Sequence, residues 1–283
     1  MSRGTSTIGG LIQVRLGRAT RQRRTGFTLT ELLVVVGLIA MLVALLLPVL
    51  GKARAAANRA ACLSNVRQMG TAWTMYTAEN RGRLLDYIWL TPLTPDIAWR
   101  GYWLGVLDAN KVRGDALLCP AANEPVPFTG PNKGFGNVLY AWNGKLMSNG
   151  SAARISSSLY RTSSYGYNRY LTAGGGFGLD GQATKITSVK PLSQVPVFLD
   201  AVSVDFAPMN WEGGLPVQPP PDLRGANLPI TAPEHWRFLI ARHGRGINGF
   251  FADGSARWVP LEETYMLKWK AGWEPYLLQL PRY

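Results

Sequence analysis

The chain has 283 residues and a mass of 31.0 kDa, with 47% apolar and 17% charged side chains. That balance supports a buried core and excludes a disordered or collagen-like chain. Two cysteines and two histidines exclude a disulfide-dense scaffold and a four-cysteine metal site and argue against a histidine-built metal centre, so neither a metal nor a cofactor is expected. The net charge of +13 is unevenly placed: residues 1–26 hold six arginines and no acid, and Lys52, Arg54, Arg59 and Arg67 fall in the acid-free stretch 51–70. The rest is close to balanced and shows no sustained basic face, which argues against nucleic acid as a partner.

Residues 32–50, LLVVVGLIAMLVALLLPVL, run without a charge or a polar side chain. As a helix they extend roughly 28 Å, close to the hydrocarbon thickness of a bilayer. The arginines in front of them place the N-terminus in the cytoplasm and export everything after the span. Three export signals fit such a segment. An ordinary signal peptide would use Ala53-Arg54-Ala55 as its cleavage site, although the apolar run is longer than that template. Arg23 and Arg24 permit a twin-arginine signal.

The third possibility fits best. Arg23-Arg24-Thr25-Gly26-Phe27-Thr28-Leu29-Thr30-Glu31, running straight into the apolar span, resembles the leader of type IV prepilins and pseudopilins. The resemblance implies that a prepilin peptidase cuts after Gly26 and methylates the amine of Phe27, leaving Glu31 as the fifth residue of the mature chain. An ionisable group inside a span is costly and by default functional. Once Gly26–Phe27 is cut, the free ammonium of Phe27 lies one helical turn from Glu31, in the same subunit or a neighbour. The alternative is a glutamate that reaches the headgroups without a partner.

Pro48 should kink the helix near the end of the span. Beyond it, Ala56, Ala60, Leu63, Val66, Gly70, Trp73 and Tyr76 or Thr77 recur at helical spacing as one buried stripe. Asn80-Arg81-Gly82 reads as the stop. The parts are therefore a leader at 1–26, a transmembrane helix at 27–50, an exported half of the same helix at 51–80, and an exported β-rich domain at 81–283.

That domain is punctuated by glycine and proline, with loops expected at 123–137, 172–184 and 208–233. Residues 237–243 read as a strand, 244–246 as a turn and 247–252 as a second strand. Asp253-Gly254 then turns the chain into 255–259, an Asp-Gly hairpin signal in which both turn residues need positive φ. The fold class is α+β and pilin-like, with one long helix packed on an antiparallel sheet that includes the hairpin at 237–259.

His243, nine residues, then Asp253-Gly254 resembles the H-x9-DG element of a planctomycete-type group of prepilin-like proteins. Cys62-Leu63-Ser64-Asn65-Val66-Arg67-Gln68, Leu118-Cys119-Pro120, Ser164-Tyr165-Gly166-Tyr167-Asn168 and Val195-Pro196-Val197-Phe198-Leu199-Asp200 agree with the same group. His243 with Asp253 would suit an acid–base pair or two metal ligands. Alternatively, Asp253 makes the turn and His243 bonds the sheet edge. Without a nucleophile or a known catalytic motif, no enzyme is expected.

Cys62 and Cys119 both follow the span and enter an oxidising compartment, where a disulfide between them is expected. With 56 residues between them, chain entropy gives such a bond about 4 kcal/mol. The alternative is two buried free thiols. Tyr87, Trp89, Trp99, Tyr102 and Trp103 cluster among prolines, and an exposed set of rings there would stack on a glycan or a partner subunit.

The resulting expectation is a pilin-like or pseudopilin-like structural subunit of a bacterial inner membrane. It would cross the membrane once, with its C-terminal domain in the periplasm or outside. Its partners would be prepilin peptidase, other pilin subunits and their assembly machinery, in a type IV pilus or a type II secretion-related filament. The opposing class is a membrane-tethered module that binds a carbohydrate or a partner and merely reuses the leader.

Overall fold

The computed structural model describes residues 27–86, 103–125, 136–137, 139–143, 162–174, 179–209, 211–212, 215–225 and 233–281. The chain divides into two compact units, Met1–Leu50 and Gly51–Tyr283.

In the first unit the described residues are Phe27, Thr28 and the opening turns of helix α1, which runs Leu29–Glu79 and includes Pro48. Every side chain from Phe27 to Leu50 is exposed. The helix is long and apolar enough to cross a membrane. An apolar surface of this kind is costly in water and is matched by lipid or by other apolar helices.

In the second unit α1 continues, but its burial changes. Cys62, Val66, Met69, Gly70, Ala72, Trp73 and Thr77 are buried, at the three- and four-residue spacing of one helical face. The expected stripe held from Val66 onward, whereas Ala56 and Ala60 are exposed. The buried face starts at Cys62, displaced because the sheet meets the helix there through polar groups rather than through alanines. The Asn248 side chain donates to the Arg59 carbonyl (3.1 Å), and Asn65 donates to the Leu118 carbonyl (2.8 Å). The helix ends as expected: Arg81 and Gly82 take positive φ (55° and 78°), and the Gly82 N–H bonds the Thr77 carbonyl at 2.7 Å. That is the left-handed cap that glycine favours.

After α1 come β1 (Leu85–Asp86), α2 (Trp103–Ala109), a 3-10 turn (Gly114–Leu117), β2 (Glu124–Pro125), β3 (Tyr140–Asn143), β4 (Thr162–Ser163), β5 (Tyr165–Asn168) and β6 (Thr172–Gly174). They are followed by β7 (Pro196–Asp200), β8 (Asp205–Phe206), β9 (Trp211–Glu212), β10 (Leu215–Pro216), β11 (Gly246–Phe251) and β12 (Ala256–Pro260). The main sheet has the order β12-β11-β7-β5-β8. Its first three pairings are antiparallel, but β5 and β8 run parallel, so the sheet is mixed rather than wholly antiparallel. The chain leaves β7, passes the end of β5 through residues 201–204 and pairs on its far side. β2, β6 and the β9–β10 hairpin lie in segments expected to be loops.

Period-two alternation splits the core in two. Phe198 and Phe250 join a cluster with Val66, Met69 and Trp73 of α1, while Leu199 and Phe251 join another with Phe238, Trp269 and Trp273. Gly70 is what lets the helix close on the sheet. A Cβ at that position would fall inside van der Waals contact of the Phe250 ring, and Trp73 meets the same ring edge-on at 6.5 Å.

The C-terminal hairpin stands at β11–β12, but residues 237–243 form no strand. Glu234–Arg237 is a 3-10 turn, and the backbone of 239–243 instead bonds the turns beside it, such as Ala241 N–H to the Leu223 carbonyl (2.7 Å). The hairpin loop also differs from the expected two-residue turn. Gly254 alone takes positive φ (89°), the Gly254 N–H bonds the Phe251 carbonyl (2.9 Å) and Phe250 pairs Ala256. This is a three-residue loop with glycine in the left-handed position. Asp253 stabilises it by accepting from the backbone and hydroxyl of Ser255 (2.9 and 2.7 Å).

Candidate functional site

Among the described residues, two places carry chemistry, one in each unit. At the start of α1, Thr28 and Glu31 form a capping box. The Glu31 N–H donates to the Thr28 hydroxyl oxygen (3.2 Å), and the Glu31 carboxylate accepts from the Thr28 N–H (2.9 Å) and hydroxyl (2.8 Å). Two of the helix's otherwise unpaired donors are thereby satisfied. The Thr-x-x-Glu signal stands in the sequence at 28–31 but was obscured by the apolar run that follows it. It gives Glu31 a partner within its own chain. Phe27 is 73% exposed, and Gly26 lies outside the described residues.

The second place is a buried polar cluster in the folded unit. Cys62 comes from the first buried turn of α1, Cys119 from the turn after the 3-10 segment, Asp200 from the end of β7 and His243 from the turn leading into β11. One ligand-type atom from each lies within 4.8 Å of every other, and all four residues are buried. Cys62 Sγ donates to Asp200 Oδ1 (3.2 Å), Cys119 Sγ lies 3.2 Å from His243 Nε2, and that nitrogen is 3.5 Å from Asp200 Oδ2. Both cysteines are free thiols, the second of the two states the sequence left open.

Three of the four are held from behind. The Asn248 N–H donates to Asp200 Oδ2 (2.7 Å), and the Tyr165 hydroxyl donates to Cys62 Sγ (3.3 Å). The Cys119 turn is pinned by Ser163, whose hydroxyl donates to the Leu117 carbonyl (2.8 Å), and by Ser164, which donates to the Ala122 carbonyl (2.6 Å). Arg242, its side chain fully buried, lies 3.5 Å from Asp200 Oδ1 and donates to the carbonyls of Asn137 (2.8 Å) and Ala201 (3.3 Å). The Cys62, Cys119, Ser164–Asn168, Val195–Asp200 and His243 segments, noted separately along the chain, thus converge on one point.

Electrostatics follow from this crowding. Burial pushes the Cys62 thiol well up, with the neighbouring Cys119 and Asp200 adding to the effect. The hydrogen bond from Cys62 pulls Cys119 down to about 6, against its own burial. Burial alone would lower His243, but its contact with Cys119 and the charge of Asp200 outweigh that and raise it. Tyr165 is raised by burial and by the surrounding negative groups.

His243 and Asp253 do not act together. Asp253 sits in the loop that joins β11 to β12, whereas His243 precedes the opposite end of β11, roughly 20 Å away at strand rise per residue. His243 is paired with Asp200 and Cys119 instead. Asp200 and Arg242 were not among the expected site residues: Asp200 closes an apolar strand and Arg242 falls in a segment expected to be a strand, and neither residue type in that setting points to a site. The signal in the sequence was the place of Asp200 in the Val195–Asp200 segment that agrees with the H-x9-DG group; the fold adds that the whole segment is buried. The other histidine is structural, its Nε2 2.6 Å from the Gln218 carbonyl oxygen and its ring edge-on to Tyr265. Of the aromatic group expected as a surface, Trp103 is 1% exposed and packs on Trp142 and Phe198. It therefore belongs to the core. Tyr87, Trp89, Trp99 and Tyr102 lie outside the described residues.

Residues 21–47 match the family described as the prokaryotic N-terminal methylation motif. No curated protein and no solved structure matches the chain. The match takes in Gly26, Phe27, the Thr28–Glu31 cap and most of the apolar run, so the chain carries a prepilin-type, type IV pilin-like leader followed by a membrane-anchoring helix.

Proposed function

We propose that this chain is a pilin-like, pseudopilin-like structural subunit without enzymatic activity. Prepilin peptidase cleaves it after Gly26 and methylates Phe27. The mature chain crosses the inner membrane once, with its N-terminus cytoplasmic and its α+β domain exported, and assembles with other pilin subunits into a type IV pilus or a secretion-related filament. The observation that carries this reading is the methylation motif at residues 21–47, set directly against an apolar helix. The positive leader supports the orientation. The exposed helix supports assembly, because apolar packing between spans is how such subunits are held.

In this reading Glu31 has two successive roles. Before cleavage it closes the capping box with Thr28. After cleavage the ammonium of Phe27, its own or a neighbour's, becomes a second partner within the same turn.

Intact-mass and N-terminal peptide analysis of the chain from its native membrane tests the processing. The expected product begins at Phe27 and carries one extra methyl group. A chain beginning near Ala56 would overturn the reading. Three variants then separate the roles of Glu31 in filament incorporation. Glu31→Gln keeps a capping side chain but loses the charge, Thr28→Ala loses the cap but keeps the charge, and Glu31→Ala loses both. Assembly through the amine predicts that Glu31→Gln and Glu31→Ala fail while Thr28→Ala incorporates.

A further inference from the structure

We propose that Cys62, Cys119, Asp200 and His243 form a closed, tetrahedral site for a divalent transition-metal ion, zinc being the best chemical match. The donor set is the first indication. Two sulfurs, one imidazole nitrogen and one carboxylate oxygen meet within 4.8 Å and are all buried. Calcium and magnesium take oxygen ligands and keep several waters, which this set does not supply. Thiolate with imidazole is the combination that selects zinc and its neighbours.

The spacing agrees. Metal–sulfur bonds of about 2.3 Å and metal–nitrogen or –oxygen bonds of about 2.0 Å, arranged tetrahedrally, place neighbouring ligand atoms roughly 3.3–3.8 Å apart. The three close separations, 3.2, 3.2 and 3.5 Å, two of them through different oxygens of Asp200, lie just below or within that range, and every pair of ligand atoms lies within 4.8 Å. Loading would open the closest pairs by a few tenths of an ångström and draw the widest in from within 4.8 Å. Four protein ligands complete the coordination and leave no open position, which makes the site structural rather than catalytic.

The surroundings are those of a ligand shell. Hydrogen-bond donors already orient two of the four ligands: the Tyr165 hydroxyl on Cys62 Sγ and the Asn248 N–H on Asp200. Outer contacts of this type fix ligand geometry. Charge also balances. The dication binds two thiolates and a neutral imidazole in place of two protons released from the cluster, so the total charge does not change. Asp200 remains matched by Arg242 at 3.5 Å. A cleft of about 390 Å³, bordered by Asn58, Arg59, Arg242 and His243, provides an approach from solvent.

The ligands come from α1, the Cys119 turn, β7 and the turn before β11. One ion therefore ties the exported half of the helix to three separate parts of the domain. It also occupies both sulfurs, so metal binding and a Cys62–Cys119 disulfide exclude each other. The inference does not depend on how the leader is processed.

The test uses the full chain purified in detergent without chelator, with metal measured by elemental analysis alongside its intact mass and thiol count. The expected result is about one zinc per chain, two thiols that react only after chelator is added, and a loss of thermal stability on chelation that added zinc reverses. Cobalt(II) added to the stripped chain should give the intense visible bands of a tetrahedral sulfur-ligated ion. Asp200→Asn and His243→Gln should each reduce retained metal at least about tenfold. A wild-type chain that binds neither zinc nor cobalt, or that is two hydrogens lighter with no reactive thiol, overturns the proposal. Because the wild-type stoichiometry decides, a variant that fails to fold does not rescue it.

Discussion

The two halves of α1 are one continuous helix by backbone and two different objects by surface. From Leu32 to Leu50 every side chain is apolar and exposed, whereas from Cys62 to Thr77 one face is buried and the rest is not. Helix geometry is common to both, so the difference lies in what each half must meet. Uniform apolarity suits lipid or like helices, which are satisfied from any direction. A one-sided stripe suits a specific sheet, where Gly70 and Trp73 have defined neighbours on β11 and β5. Continuity of secondary structure is therefore no guide to continuity of environment.

Matched substitutions in the two halves sharpen this contrast. The largest effect is expected at Trp73, buried against Phe250 and donating to the Tyr167 hydroxyl (3.3 Å). Trp73→Ala should destabilise the domain by about 3–5 kcal/mol, while Leu46→Ala, an exposed site in the span, should leave domain melting unchanged. Calorimetry of the two variants in detergent checks this. Equal losses would show that the span contributes to the fold of the domain.

Glycine gives the next comparison. At Gly70 the Phe250 ring must move to admit a methyl group, whereas at Gly37 nothing lies within 4 Å. Gly70→Ala should cost about 1–3 kcal/mol despite alanine's higher helix propensity. Gly37→Ala should be neutral for the domain and favour the helix by up to about 1 kcal/mol. Opposite signs for one substitution in one helix would be read as a shift in domain melting for Gly70→Ala alone, and in amide exchange for Gly37→Ala.

The cap supplies a smaller and more local effect. Thr28→Ala removes the side-chain half of the box and should cost the first turn about 1 kcal/mol. Faster amide exchange at Thr30 and Glu31, with none at Trp73, is the expected signature.

The smallest effect is electrostatic, at the hairpin loop. Partial burial alone would raise the Asp253 carboxyl, but its bonds from Ser255 and the charge of Arg257 outweigh this and hold it below the ordinary carboxylate value. Its folded-state pKa being lowered, the stability it adds is present above the unfolded carboxylate pKa. It is lost as pH falls through the folded value. The melting difference between wild type and Asp253→Asn, measured at neutral pH, should close on acidification.

Much was legible in the chain because it is written locally. An unbroken apolar run, a leader rich in arginine, an Asn-Arg-Gly stop and a chain reversal at Asp253-Gly254, though not its loop length, each depend on neighbours in sequence. The hairpin was found, but its first partner was misplaced. Residues 237–241 are apolar enough for a strand, yet their backbone partners are turn residues such as Leu223. Likewise the buried face of the helix was read one register off at its start, because Asn65 and the Arg59 carbonyl bond groups more than fifty residues away.

The candidate site shows the same division more sharply. His243 was singled out in the sequence with Asp253, ten positions on, but the fold gives it Asp200 and Cys119 instead. Residue types and local periodicity pointed to a membrane-anchoring helix and an α+β domain, because the hydrophobic effect and backbone sterics act on adjacent residues, while the leader was read from the resemblance of residues 23–31 to a family motif. Only the tertiary structure decided that Cys62, Cys119, Asp200 and His243 share one buried point. Four strand and turn registers must be set together before those atoms meet, and no spacing along the chain encodes that.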